Sequence, residues 1–171
     1  MEETHMKKIL ISLIVSLAFA TAAHAADTSA VIKNDYAVVM SKQGTYDNVK
    51  QDLLMAIENR GLKINHVNHT GDMLKRTGPA VGDTREIYGQ AEQVEFCKAD
   101  VSRSMMEADP TNIVFCPYLI TLYTLPNDPG KVYIAYRKPV VPNPNPATAK
   151  ALVEVEALYA GIVKDTLEGA F

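Results

Sequence analysis

Tryptophan is absent from the 171 residues, and cysteine occurs only twice, as Cys97 and Cys116. Neither cysteine belongs to a C-x-x-C, which argues against a thioredoxin-type couple, and the absence of C-x-x-C-H excludes covalent c-type haem. No G-x-S-x-G, H-E-x-x-H or phosphate-cradling glycine loop is present, so the common hydrolase, zinc-peptidase and nucleotide signatures are missing. Acidic residues are plentiful, yet no pair of them stands out as an acid/base couple. Charge of either sign is in small excess at most: 20 acidic against 17 basic residues leave a net charge of −3. No polybasic surface for nucleic acid follows from that balance. Beyond the first 25 residues no apolar run reaches the ~18 residues of a membrane span, and no internal repeat occurs.

What the chain does have begins at its start. "MKKILISLIVSLAFATAAHA" (6–25) carries two lysines, an apolar core from Ile9 to Ala20, and Ala23 and Ala25 flanking His24. This is the pattern of a cleaved secretory signal of bacterial type, too short and Ala-rich for a comfortable span. The expectation is a signal peptide over 1–25, an N-terminal tail over 26–34, and one exported, periplasmic α+β domain over 35–171. Removing the signal takes two basic and two acidic residues, so the net charge stays at −3.

"DYAVVMSK" (35–42) is a β-branched and aromatic run that predicts a strand. Thr45 then offers an N-cap to a helix over 46–60, in which Val49, Leu53, Ala56 and Ile57 recur on one face, and Gly61 follows as a stop. "LKINHVN" (62–68) predicts a second strand, and "AEQVEFC" (91–97) another. Between them, four glycines and a proline leave only a short helix around Asp72 to Arg76. "KADVSRSMMEAD" (98–109) fits a helix stopped by Pro110, and "NIVFCPYLITLYTL" with "KVYIAYRK" flanks the turn-rich "PNDPG" as a hairpin. After the extended "PVVPNPNPA", the last segment is helical, with Leu152, Val155, Tyr159 and Ile162 as its inner stripe. About five strands with helices packed on one sheet face would bury these stripes, an α+β layer architecture.

The residues "GTYDNVKQDLLMAIENRGLKI", "EADPTNIVFCP" and "VYIAYRKP", in that order over about 35–168, resemble the bacterial and archaeal domain of unknown function 302 family. The resemblance implies a TATA-binding-protein-like β-α-β sheet with helices on one side, often dimeric, and no assigned activity. Members of that family place cysteines variably near the positions of Cys97 and of Cys116 before Pro117.

Three readings of Cys97 and Cys116 stay open: a structural disulfide favoured by an oxidising compartment, buried free thiols, and a redox or ligand role. Against the disulfide stands the geometry of a parallel β-α-β unit, which puts a strand end and the next strand start at opposite edges of the sheet. His66 and His69 are the histidines left after the signal; they are either exposed polar residues at a strand exit or a metal pair, with Asp72 or a cysteine as a further ligand. Non-covalent haem on one histidine also stays open. Met105 and Met106 read as core packing rather than a soft-metal site.

The segment from Thr70 to Gly89 is long for a loop in a compact domain, which marks it as functional or mobile. His69, Arg76, Arg85 and Tyr88 in and beside it are the residues expected to hold an anionic or planar ligand. The leading expectation is therefore an exported domain that binds a small ligand or a periplasmic partner protein, its cofactor unspecified. The alternatives are a redox, metal or haem accessory using the cysteines and histidines, and a dimeric assembly factor. The dimer rests on the second sheet face: both faces of the hairpin carry apolar side chains, and a two-fold copy would cover the one without helices.

Overall fold

The computed structural model describes residues 30–169, so the signal-like segment lies outside the described residues. Six strands form one antiparallel sheet: β1 (Ala30–Lys33), β2 (Ala37–Gln43), β3 (Lys63–Asn68), β4 (Ala91–Cys97), β5 (Tyr118–Leu125) and β6 (Asp128–Arg137). Their spatial order is β1-β2-β6-β5-β4-β3. The described residues also form four helices, α1 (Tyr46–Glu58), α2 (Thr70–Thr77), α3 (Ala99–Ala108) and α4 (Pro146–Glu168), with 3₁₀ turns over Gly78–Val81 and Pro110–Phe115. The expected α+β layer architecture is present.

Local chemistry explains the element ends. The Thr45 hydroxyl accepts the Asn48 N–H at 3.3 Å to start α1, and Gly61 takes φ +71° just beyond its end, a conformation costly for any side chain. Asn145 caps α4 by accepting the Thr148 N–H at 2.8 Å, with Pro146 at the first helical position.

Alternation along the strands puts Phe96, Tyr118, Ile120, Leu122 and Ile134 on one face, all at 0% exposure. Val49, Leu53, Ala56 and Ile57 of α1 and Leu152, Val155, Tyr159 and Ile162 of α4 pack against that face, as their spacing predicts. Burial of each large apolar side chain there contributes about 1.5–3 kcal/mol. The rings of Phe96, Tyr118, Tyr136 and Tyr159 cluster with centroids 4.9–6.2 Å apart. Two of the buried phenols are satisfied, because Tyr118 accepts from the Ser102 hydroxyl at 3.0 Å and Tyr159 from the Leu119 N–H at 3.1 Å. Burial pushes the Tyr159 phenol up to about 12.

Three expectations need correction. The sheet has six strands rather than five, because Ala30–Lys33, read as part of a tail, pairs antiparallel with β2. Residues 112–115, read as the start of a strand, lie in a 3₁₀ turn that Asp109 caps by accepting the Thr111 N–H at 2.8 Å. Finally, β4 and β5 are antiparallel neighbours, with Phe96 opposite Tyr118, although a helix connects them. The end of β4 and the start of β5 therefore meet at one edge, and the geometric objection to joining Cys97 and Cys116 disappears.

Candidate functional site

The segment after β3 folds back over the start of β4 and encloses a cleft of about 710 Å³. Its wall is α2, the 3₁₀ turn that follows, and the loop 82–90. Two sets of hydrogen bonds shape that wall. The Asp83 N–H donates to the Gly78 carbonyl at 3.0 Å, and a Cβ on Gly78 would fall 2.3 Å from the Asp83 carbonyl oxygen, so only glycine closes this turn. At the far end the loop is stitched to β5: the Gly89 N–H donates to the Thr124 carbonyl at 3.0 Å, the Thr124 N–H to the Gln90 carbonyl at 2.9 Å, and the Gln90 N–H to the Thr124 hydroxyl at 3.0 Å. The long segment is thus closed on itself at its middle and pinned to β5 at its far end.

The floor holds a polar hub. Glu92, on β4, accepts from the Tyr46 phenol at 3.1 Å and pairs with Lys50 at 2.6 Å, both from α1. His69, at the N-cap of α2, brings its Nδ1 to 2.8 Å from the other carboxylate oxygen. The Glu92 side chain is only 13% exposed, against 58% for His69. Burial alone would raise the Glu92 carboxyl, but the bonds from Lys50 and Tyr46 and the charges of Lys50 and His69 outweigh it and hold it below its ordinary range. Burial, then the Glu92 charge, pushes the Tyr46 phenol up in turn. A charged hub of this kind holds α1, α2 and β4 together and offers oriented polar groups at the base of a partly apolar cleft.

Of the residues expected from sequence to hold a ligand, His69, Arg85 and Tyr88 line this cleft, and Arg76 does not. Arg85 is engaged within its own loop, its guanidinium forked onto the two Asp83 oxygens at 2.6 and 3.0 Å, which holds that carboxyl below the usual range. Tyr88 rests edge-on against Tyr123 at 5.3 Å, anchoring the loop to the sheet face that carries no helix. Glu92, Tyr46 and Lys50 were missed. A signal for Glu92 existed: in "AEQVEFC" it falls in phase with Val94 and Phe96, a charge at a core position that asks for buried partners.

His66 and His69 have different surroundings. His66 lies opposite Glu95 in the β3–β4 register, and His69 is committed to Glu92. Among the described residues no group of three or more His, Cys, Asp or Glu is arranged to hold a metal ion. Met105 is fully buried in the core, and Met106 packs against it.

Cys97 and Cys116 are free thiols in this structure, with Sγ atoms 3.6 Å apart and both residues half-buried. The Asn65 amide donates to Cys97 at 3.6 Å, and the Ser102 hydroxyl lies 3.9 Å from Cys116. Burial, with the Cys116 thiol beside it, raises the Cys97 pKa.

The family profile described as "Domain of unknown function DUF302" matches residues 37–165, most of the chain. The chain belongs to the DUF302 family. The fold agrees: the crystal structure of an uncharacterized conserved DUF302 protein from Bacillus stearothermophilus is similar, with a TM-score of 0.63 at 13% identity. The likeness covers 78% of this chain and 99% of that one, and at such identity it speaks for the fold alone. No curated protein matches the chain.

The cleft wall, the Glu92 hub and both cysteines all fall inside the matched DUF302 range. Around the DUF302 cleft, Asp72, Asp83, Glu86 and Glu92 face Lys75 and Arg85, so the lining is more acidic than basic. No helix among the described residues is long and apolar enough to cross a membrane.

Proposed function

We propose that this DUF302 chain is a small-ligand-binding domain, with the ligand seated between the α2–loop wall and the start of β4. The observation that carries this reading is the cleft itself: about 710 Å³, in the range of small-molecule sites, with the Glu92–His69–Tyr46 hub at its base. Its surplus of carboxylates, and the engagement of Arg85 by Asp83, turn the expectation away from anions. A planar, uncharged or cationic molecule fits better, lying against Tyr88 and Leu74 with a polar group directed at His69. The signal-like segment over 6–25 supports an exported, periplasmic setting for this binding.

Ligand-observed NMR of planar aromatic fragments sorted by charge tests the reading. Neutral and cationic fragments should bind saturably and lose affinity by about tenfold or more in His69→Ala, equivalent to about 1.4 kcal/mol. Preference for anionic fragments, or indifference to His69, would overturn it.

A second reading concerns quaternary structure. On the face without helices Tyr123 and Tyr133 stack at 4.9 Å, and Leu119 and Ala135 share that face by alternation in the β4–β5 and β5–β6 registers. A second copy of the chain would cover this apolar strip. A stable monomer by light scattering at micromolar concentration would refute that arrangement.

A further inference from the structure

We infer that Cys97 and Cys116 form a thiol–disulfide exchange site, a reversible couple separate from the cleft, whose reactant is an accessible disulfide of the glutathione class. Four observations lead there. The two sulfurs lie 3.6 Å apart across the meeting point of β4 and β5, so bonding requires them to close by roughly 1.5 Å to the 2.03–2.05 Å of a disulfide. Both residues are half-buried rather than sealed in the core, which leaves a reactant a way in. The 3₁₀ turn that ends at Cys116 holds Ile113 and Val114 at 59% and 74% exposure, so the chain just before that cysteine lies at the surface. And each thiol has its own polar neighbour: the Asn65 amide donates to Cys97, and the Ser102 hydroxyl, held by Tyr118, sits beside Cys116.

The chemistry is ordinary exchange. The thiolate of one cysteine attacks a sulfur of the small disulfide, whose S–S bond breaks as a mixed disulfide forms and one small thiol leaves with the proton. The second cysteine then attacks the protein sulfur of that mixed disulfide and expels the second small thiol. Two protein thiols become one disulfide, and one small disulfide becomes two thiols; reduced glutathione in excess reverses both steps. Asn65 is a positioning residue here, since its amide can donate to a thiolate on Cys97 without meeting the reactant.

The test uses the folded full domain in glutathione buffers of varied oxidised-to-reduced ratio, read by mass and by thiol labelling after acid quench. The expected result is one reversible transition in which each chain loses two hydrogens and carries no glutathione. Cys97→Ser and Cys116→Ser, checked for folding by circular dichroism, should each stop at a single glutathione adduct. Two persistent free thiols in oxidised buffer, two adducts per chain, or only intermolecular disulfides would overturn the proposal. So would a disulfide that native protein keeps against excess reduced glutathione, because that behaviour belongs to a structural staple.

Discussion

Replacing Glu92 with glutamine probes the hub with almost no change of shape. The carboxylate serves three partners, Lys50 at 2.6 Å, His69 at 2.8 Å and Tyr46 at 3.1 Å, at a site where its own side chain is 13% exposed. Hydrogen bonds to a charged group contribute about 1.5–3 kcal/mol each, but Lys50 at 27% and His69 at 58% exposure can turn to water and recover much of theirs. Glutamine still offers the 6%-exposed Tyr46 phenol an acceptor, so the variant removes the carboxylate's charge and the extra strength it lends to all three bonds. The expected loss at neutral pH is about 2 kcal/mol. The pH dependence carries the sharper information. A carboxyl whose folded-state pKa is depressed stabilises the fold above its ordinary value of 4.5, and that contribution disappears as pH falls through the lower folded-state value. The gap between wild type and Glu92→Gln should therefore be full above pH 4.5 and shrink on acidification. The exposed carboxylates Asp83, Asp100 and Asp109 are also held low but are common to both proteins, so they cancel. Urea unfolding across this range measures the gap directly. A difference under about 0.5 kcal/mol at neutral pH, or one that grows on acidification, would refute the hub as an energetic centre.

Other perturbations separate the remaining contacts. Gly78→Ala pushes a methyl into the Asp83 carbonyl, at a cost of about 1–3 kcal/mol, and should speed hydrogen exchange over the loop 82–90 while the β5–β6 hairpin keeps its protection; a variant as stable as wild type would contradict the turn geometry. Asn112→Ala removes a 2%-exposed amide that donates to the Met105 carbonyl at 2.9 Å and the Thr148 hydroxyl at 3.3 Å, so chemical denaturation should show a loss of about 1–3 kcal/mol. Oxidising Cys97 and Cys116, 19 positions apart, should raise stability by about 3 kcal/mol over the reduced protein in the same urea assay, and no gain would mean that closing the bond distorts the native edge.

The helices were the legible part of this fold. Val49, Leu53, Ala56 and Ile57 sit at helical spacing between a threonine cap and a glycine stop, and Leu152, Val155, Tyr159 and Ile162 repeat the pattern, so their buried faces follow from periodicity. Strand β1 was hidden because four residues, AVIK, are too few for alternation to speak, and its pairing with β2 is a tertiary fact. The run Ile113-Val114-Phe115 has strand-like composition, yet the Asp109–Pro110 cap before it wins and makes a 3₁₀ turn. Strand direction was out of reach: a helix between β4 and β5 suggests a parallel pair, and only the register puts Cys97 beside Cys116. At the cleft, His69, Arg85 and Tyr88 were found through the oddity of a long glycine-broken segment. Their partner Glu92 gives a quieter signal, its phase with Val94 and Phe96 on the inner side of the strand, and its three partners come from other elements, α1 and the start of α2.

The central claim is that the cleft between α2 and β4 holds a small, planar, non-anionic ligand. Amide chemical-shift mapping with benzamide and benzamidine, and with benzoate as the anionic comparison, tests it most directly. Saturable shifts should concentrate at His69, Leu74, Tyr88, Ala91 and Glu92 for the first two, be weaker for benzoate, and fade in Tyr88→Ala. Shifts confined to the Tyr123–Tyr133 face, or no saturable shift in the cleft with any of the three, would contradict the account.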